Sequence, residues 1–416
     1  MIRPSPLGLF AATGVELEYM IVDADSLDVR PLSDELIRTL TGVYRSDVDR
    51  GPFTWSNELV LHVLEFKTTD PAPSLRGLAT AFQAEVIEAN HRLRPFAARL
   101  LPTAMHPWMD PARETRLWPH EYSPVYAAYD RIFGCAGHGW SNLQSLHLNL
   151  PFANDHEFAR LHAAIRALLP LLPALAASSP IVDGRPTGWL DHRLAVYRTN
   201  SARLPSVTGQ VIPEPAYSRA DYERDILEPM YRDIAPCDPE GTLQDEFLNS
   251  RGAIARFGRG SIEIRVLDVA ECPAADLAIA QLIVAVLRAL TAERWLPLAA
   301  LQRLHTGALA ATLLDVARDA DAAVVRDPDL LAALGRPTDR PCLARTLWQV
   351  LAQELCVLDQ LDTAERAALE VILQHGCLAR RILDALGGES SRARLAAVYR
   401  RLADCLAAGR SFLPTP

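Results

Sequence analysis

Residues 13 to 23, TGVELEYMIVD, place Val15, Leu17, Tyr19 and Ile21 at alternate positions, with Glu16 and Glu18 between them. A period of two predicts a strand with one buried apolar face and one face of different character. The pattern recurs. In SNLQSLHLNLPF (141 to 152), Leu146, Leu148 and Leu150 alternate with Ser145, His147 and Asn149. In RGSIEIRVLDVAECP (259 to 273), Ile262, Ile264 and Val266 alternate with Glu263 and Arg265. The second half of ELVLHVLEFKTTDP (58 to 71) reads as a strand on which Glu65 and Lys67 share a face, and RLLPTAMHPW (99 to 108) as another.

Between these strands lie helical patterns. ELIRTL is a short helix, and Ser74 to Leu93 a longer one with Ser74 as its N-cap. Residues 155 to 178 form an apolar helix interrupted by Pro170 and Pro173, and a polar, Pro- and Gly-bearing stretch follows from 180 to 215. From Ala274 onward the chain is Ala- and Leu-rich helix with breaks around Arg336 to Pro341 and at Gly387. The 274 to 290 helix is apolar on nearly all sides, as burial against a sheet requires. A few separated strands joined by long helical connections predict an α+β fold. Two regions are expected: residues 1–290 as a sheet core with flanking helices, and 291–416 as a helical region packed on the same domain.

Composition narrows the class. The 416 residues are 49% hydrophobic and 22% charged, enough for a sizeable core. A net charge of -9 gives no overall electrostatic reason to bind nucleic acid or an anionic membrane. Seven scattered cysteines without CxxC pairing, and no signal-peptide core in MIRPSPLGLFAATG, point to a cytoplasmic protein. Neither GxxxxGK[ST] nor GxGxxG occurs, and neither does GxSxG or HExxH, which weakens P-loop, Rossmann, hydrolase and metalloprotease readings.

The polar strand faces carry the candidate chemistry. Two glutamates on one strand face repel, so either they face solvent at an edge or they hold a cation. Hard divalent ions such as Mg²⁺ or Mn²⁺ prefer oxygen ligands. Glu65, Glu263, His147, Asn149 and Arg265 are an unusual choice for merely wet faces, and several carboxylates in one cleft need a cation. Glu58 and Glu65, seven apart, reach one site only if Glu58 precedes the strand or a bulge intervenes. Cys135, His138 and His147 offer a zinc alternative that lacks a fourth ligand. His106 reads either as a packed loop histidine or as a substrate contact.

Five segments in order, GVELEYMIVD, ELVLHVLEFKT, HLNLPF, SSPIVDGRPTGWLDHR and SIEIRVLD, resemble the glutamate–cysteine ligase superfamily, including its carboxylate–amine ligase branch. The resemblance spans about residues 13 to 290. It implies a curved antiparallel sheet forming a funnel, related to the glutamine synthetase catalytic fold. It also implies ATP and Mg²⁺ (or Mn²⁺) in the funnel, small amino-acid substrates, and an amide of γ-glutamyl type made through an acyl phosphate. By the same resemblance Glu16, Glu18, Glu58, Glu65 and Glu263 are metal ligands, and His147 and Asn149 face the nucleotide. Arg265 matches the arginine two residues past the last acid, placed to clamp the transferring phosphoryl group; were it only a scaffold residue, the clamp would have to be sought at Arg193, Arg198 or Arg256. Thr187, Arg193 and Arg198 belong to the segment that holds the amino acid, Arg193 first, because an arginine fork binds a carboxylate through two parallel bonds. Many relatives carry two histidines where this chain has His147 and Asn149, which leaves the substrate open. A carboxylate kinase or an inactive binding protein on the same fold are the alternatives. Retention of all five acids and Arg265 favours an enzyme, since buried acids without an ion are costly.

Overall fold

The computed structural model describes residues 6–414, so the first five residues of the N-terminal segment read above lie outside it. Eight strands build one antiparallel sheet. They are β1 (Gly14–Asp23), β2 (Asp47–Asp49), β3 (Phe53–Asn57), β4 (Val63–Thr68), β5 (Ala98–Leu101), β6 (Ser145–Pro151), β7 (Ala253–Arg256) and β8 (Ser261–Asp268). The order across the sheet is β2-β3-β4-β1-β6-β8-β7, with β5 paired to the far half of β1.

The alternation seen in the sequence sorts the two faces. Val15, Leu17, Tyr19 and Ile21 join Leu64, Phe66, Leu146, Leu148, Leu150, Ile262 and Ile264 in one apolar core. Behind them packs the Pro273–Thr291 helix, which touches the Leu78–Leu93, Asp155–Leu168 and Thr363–His375 helices. Its composition alone would suit a membrane span, but 83% of its most apolar window is buried inside the protein. That burial accounts for an apolar surface on all sides.

The opposite face is divided. Near the start of β1 it carries Glu16 and Glu18. Further along it carries Met20 and Val22, which join a second cluster with Leu101, Ile382, Leu395, Tyr399 and Leu402. The Leu378–Leu386 and Arg392–Ala408 helices therefore cover the far part of the face that holds the acids. Their anchor is internal: Arg381 Nη1 lies 2.5 Å from Glu271 Oε1 and donates to the Phe412 carbonyl at 2.6 Å.

Some boundaries differ from expectation. The long helix begins at Leu78 rather than Ser74, because Gly77 takes the left-handed conformation at its start (φ 81°). The Ser74 hydroxyl instead accepts from the Arg76 amide at 3.1 Å, which closes a local turn. The strand expected over 99 to 108 stops at Leu101, before Pro102. The breaks at Pro170 and Pro173 are present as a 3₁₀ turn, Leu169–Leu171, and a fresh short helix, Pro173–Ala176. Gly387 ends its helix at φ 60°.

Candidate active site

Strand register arranges the polar side chains in rows. Lys67 stands opposite Glu16, and Glu16 opposite His147. In the next row Asp47 stands opposite Ser56, Ser56 opposite Glu65, and Glu65 opposite Glu18. Asn149 lies between Gly14 and Glu263. A Cβ on Gly14 would come within 3.0 Å of the Asn149 Cβ, so glycine is what lets Asn149 fit there. These rows form one wall of a cavity of about 960 Å³, and Tyr126, Tyr129, Trp140, Arg193 and Tyr197 form part of the other.

Two ligand-like groups stand in this cavity. Oxygens of Glu18, Glu58 and Glu65 lie within 4.8 Å of one another, and so do atoms of Glu16, His147 and Glu263. Glu58 reaches in from the loop just past β3, five residues ahead of β4, which is how two acids seven apart converge. Glu18 and Glu65 are direct cross-strand partners, a destabilising placement for like charges. Lys67 Nζ lies 3.1 Å from Glu65 and 3.2 Å from Asp47. Among the described residues Glu58 has no ion pair.

The electrostatics follow from that imbalance. Burial, with the charges of Glu16 and Glu18, pushes Glu65 up to about 8 despite Lys67. Burial and the Glu18 and Glu65 charges raise Glu58 well above the carboxylate range. Glu16 goes the other way. Burial opposes its ionisation, but the His147 hydrogen bond and the His147 and Lys67 charges hold it at about 2. His147 is raised: burial works against its cationic form, and the Glu16 contact with the surrounding carboxylates outweighs it. The His147 ring sits 3.1 Å from Glu16 Oε2 and 2.8 Å from the Ser145 hydroxyl, and Asn149 donates to Glu16 Oε1 at 2.9 Å. Buried, mutually repelling carboxylates with too few cations fit a hard divalent ion.

A bulge sets the arginines. Ile264 pairs with Leu148 and Leu267 with Leu146, so Arg265 and Val266 together oppose His147. Simple alternation would have turned Leu267 outward; the bulge keeps both Val266 and Leu267 in the core and leaves Arg265 half-buried at the cavity. Arg265 Nε is 3.1 Å from Glu263 Oε1, and Arg256 Nε is 3.6 Å from Glu263 Oε2. Arg193 donates from Nε to Asp268 Oδ1 at 2.6 Å and from Nη2 to the Arg265 carbonyl at 3.2 Å.

Of the residues singled out in the sequence, Glu16, Glu18, Glu58, Glu65, Glu263, His147, Asn149, Arg193 and Arg265 all line this cavity. Thr187 and Arg198 do not. The Thr187 hydroxyl bonds the Trp189 carbonyl at 3.2 Å within its own loop. Arg198 is exposed: on the His192–Asn200 helix, Arg193 and Tyr197 are four apart and share a face, and the next residue is rotated away from it. The zinc alternative is not assembled. His138 pairs with Asp183 at 3.2 Å, and burial pushes the Cys135 thiol up to about 12. His106 lies outside the cavity, bonded to the Leu27 carbonyl at 2.7 Å and held down at about 3 by burial.

Sequence reasoning missed Asp47, Ser56, Tyr126, Tyr129, Trp140 and Tyr197, and gave Lys67 no role. Strands β2 and β3 escaped because β2 is three residues long and β3 is buried on both faces, which removes the alternation. Tyr197 had a signal, its spacing of four from Arg193.

The fold matches solved structures at low identity. A glutamate–cysteine ligase from Francisella tularensis, solved in complex with AMP, aligns with a TM-score of 0.56 over 96% of this chain and 89% of its own, at 14% identity. A bifunctional glutathione synthetase from Pasteurella multocida aligns with a TM-score of 0.58 over 96% of this chain and 53% of its own, also at 14% identity. An uncharacterized protein of Archaeoglobus fulgidus is 36% identical over 278 residues, 66% of this chain and 74% of that one. A Nocardioides protein named "Putative glutamate--cysteine ligase 2-1" is 27% identical over 288 residues, 68% of each chain. The likeness to the two solved structures is one of fold. The model of the glutamate-cysteine ligase family 2 (GCS2) matches residues 12–401, so this chain belongs to that family, whose class is the carboxylate–amine ligases of glutamate–cysteine ligase type. The match runs well past residue 290, across C-terminal helices in which no motif was legible.

Proposed function

We propose that this protein uses ATP to join a glutamate-type carboxylate to an amine, through an acyl phosphate. The observation that carries the reading is the set of acids. Glu18, Glu58 and Glu65 form one cluster and Glu16, His147 and Glu263 another, on one wall of a single cavity, with Arg265 beside them. In the reaction a carboxylate oxygen attacks the γ-phosphorus of ATP and ADP leaves. The amine nitrogen then attacks the acyl carbon and phosphate leaves. Both partners of the first step are anions, so positioning and neutralisation of charge are most of the catalysis.

Glu16, Glu18, Glu58, Glu65 and Glu263 would hold Mg²⁺, which when bound supplies the positive charge that lets two anions meet. Asn149 and Ser145 fix the Glu16–His147 pair by hydrogen bonds, so that carboxylate keeps one orientation. Arg265, steadied by Glu263, reaches the transferring phosphoryl group. Arg193, whose fork is aimed by Asp268, holds a substrate carboxylate. All cavity-lining residues fall between Pro6 and Arg265, in keeping with a catalytic region ending near 290 and a helical region that braces it. The test is phosphate release from Mg-ATP across carboxylate–amine pairs, with mass spectrometry of products. Amide product with stoichiometric phosphate is expected. A folded protein that releases no phosphate with any glutamate–amine pair refutes the proposal, and acyl phosphate without amide would make it a kinase.

A further inference from the structure

Tyr197 is 8% exposed and lines the cavity, yet its hydroxyl has no hydrogen-bond partner among the described residues. A buried phenol without a partner is costly, and such a group in a concave site marks a place for a ligand atom. Its position is not accidental slack. The helix that carries it, His192–Asn200, is clamped at its end to the His138–Ser141 turn. Trp140 Nε1 donates to the Asn200 carbonyl at 3.2 Å, and Asn200 Nδ2 donates to the Gly139 carbonyl at 2.9 Å. A Cβ on Gly139 would fall 2.8 Å from the Asn200 Cβ, so the two elements meet only because residue 139 is glycine.

Tyr197 shares its helix face with Arg193, and both line the cavity. Arg193 has spent part of its fork on protein, Nε on Asp268 and Nη2 on the Arg265 carbonyl. Its remaining N–H groups and the Tyr197 hydroxyl are donors presented by neighbouring turns of one helix. A small planar anion with two oxygens satisfies such a set. The geometry points to Tyr197 as a specificity-determining residue that, with Arg193, reads the α-carboxylate of an amino-acid substrate. A simple amine or a monocarboxylate lacking that group would leave the hydroxyl unpaired, which is the basis of discrimination.

This inference rests on the ligase reading, and the α-carboxylate could belong to the carboxylate donor or to the amine acceptor. The experiment separates these. Wild type and Tyr197→Phe are compared with each substrate and its decarboxylated analogue: L-glutamate against 4-aminobutyrate as donor, and L-cysteine against cysteamine as acceptor. Tyr197→Phe is expected to raise KM for one α-amino acid about tenfold or more, the worth of one hydrogen bond to a charged group, with kcat little changed. KM for the matching analogue should not move, and whichever pair responds names the source. An unchanged KM for both amino acids, or an equal rise for acid and analogue, overturns the inference. A readout independent of turnover is the thermal shift produced by each of the twenty amino acids with Mg-ADP. At least one should stabilise wild type and stabilise Tyr197→Phe less. If none does so, the inference falls, whereas the ligase reading stands or falls on phosphate release alone.

Discussion

Glu65→Gln should make the metal-free protein more stable at pH 8. In the native state Glu65 faces Glu18 across the strands, with Glu58 alongside, and its carboxyl is pushed from the ordinary 4.5 to about 8. Between those values the native protein keeps a proton that the unfolded chain has released. Stability therefore falls as pH rises through that window. At about 1.4 kcal/mol per pH unit, the whole span is worth on the order of 5 kcal/mol. Glu58 is raised too and acts in the same direction. His147 adds to the slope: its raised value contributes stability present below about 6.5 and lost as pH rises through its folded value. Glu16, held at about 2, contributes stability that is complete above the ordinary 4.5 and is lost only as pH falls toward 2, outside the window. Glutamine keeps the shape and removes the charge, and Lys67 retains Asp47 at 3.2 Å. In EDTA, the wild-type melting temperature should fall from pH 6 to pH 8 and that of Glu65→Gln should fall much less, leaving the variant ahead by roughly 1–3 kcal/mol at pH 8. Mg²⁺ with nucleotide should reverse the order, because the wild type regains more on binding. A flat wild-type profile over pH 6 to 8 in EDTA, or a variant less stable than wild type at pH 8, would refute the reasoning.

Two further substitutions probe other links. Arg265→Lys keeps the charge but loses the planar guanidinium that lies beside Glu263 and donates to the Asn249 carbonyl; turnover should fall by about 10²-fold or more while unfolding shifts by no more than about 1 kcal/mol, and wild-type turnover would mark Arg265 as scaffold. Arg381→Ala strips the partner from the fully buried Glu271 and frees the Phe412 segment, so chemical denaturation should show a loss of about 3–5 kcal/mol, and a change below 1 kcal/mol would mean that the C-terminal helices are held by apolar contacts alone.

Much of the sheet was written in the chain. Period-2 alternation at 15–21, 145–150 and 262–266 predicted which side chains enter the core, because a strand's two faces are fixed by local backbone geometry. The same alternation put Glu16 with Glu18, and Glu65 with Lys67, on shared faces. The breaks at Pro170, Pro173 and Gly387 were equally local, set by φ restriction and a missing N–H. What sequence could not decide was where the faces meet. The opposition of Glu18 to Glu65 is a matter of register between β1 and β4, and register depends on the whole packed sheet. The bulge at Arg265 and Val266, which aims one arginine into the cavity and lends its carbonyl to another, answers to the pairing with β6 and not to any local propensity. Likewise the covering of Met20 and Val22 by helices more than 350 residues away requires those helices to be docked first. Alternation is encoded by neighbours in the chain, whereas a constellation of charges is fixed by contacts between distant segments, and only the folded sheet supplies them.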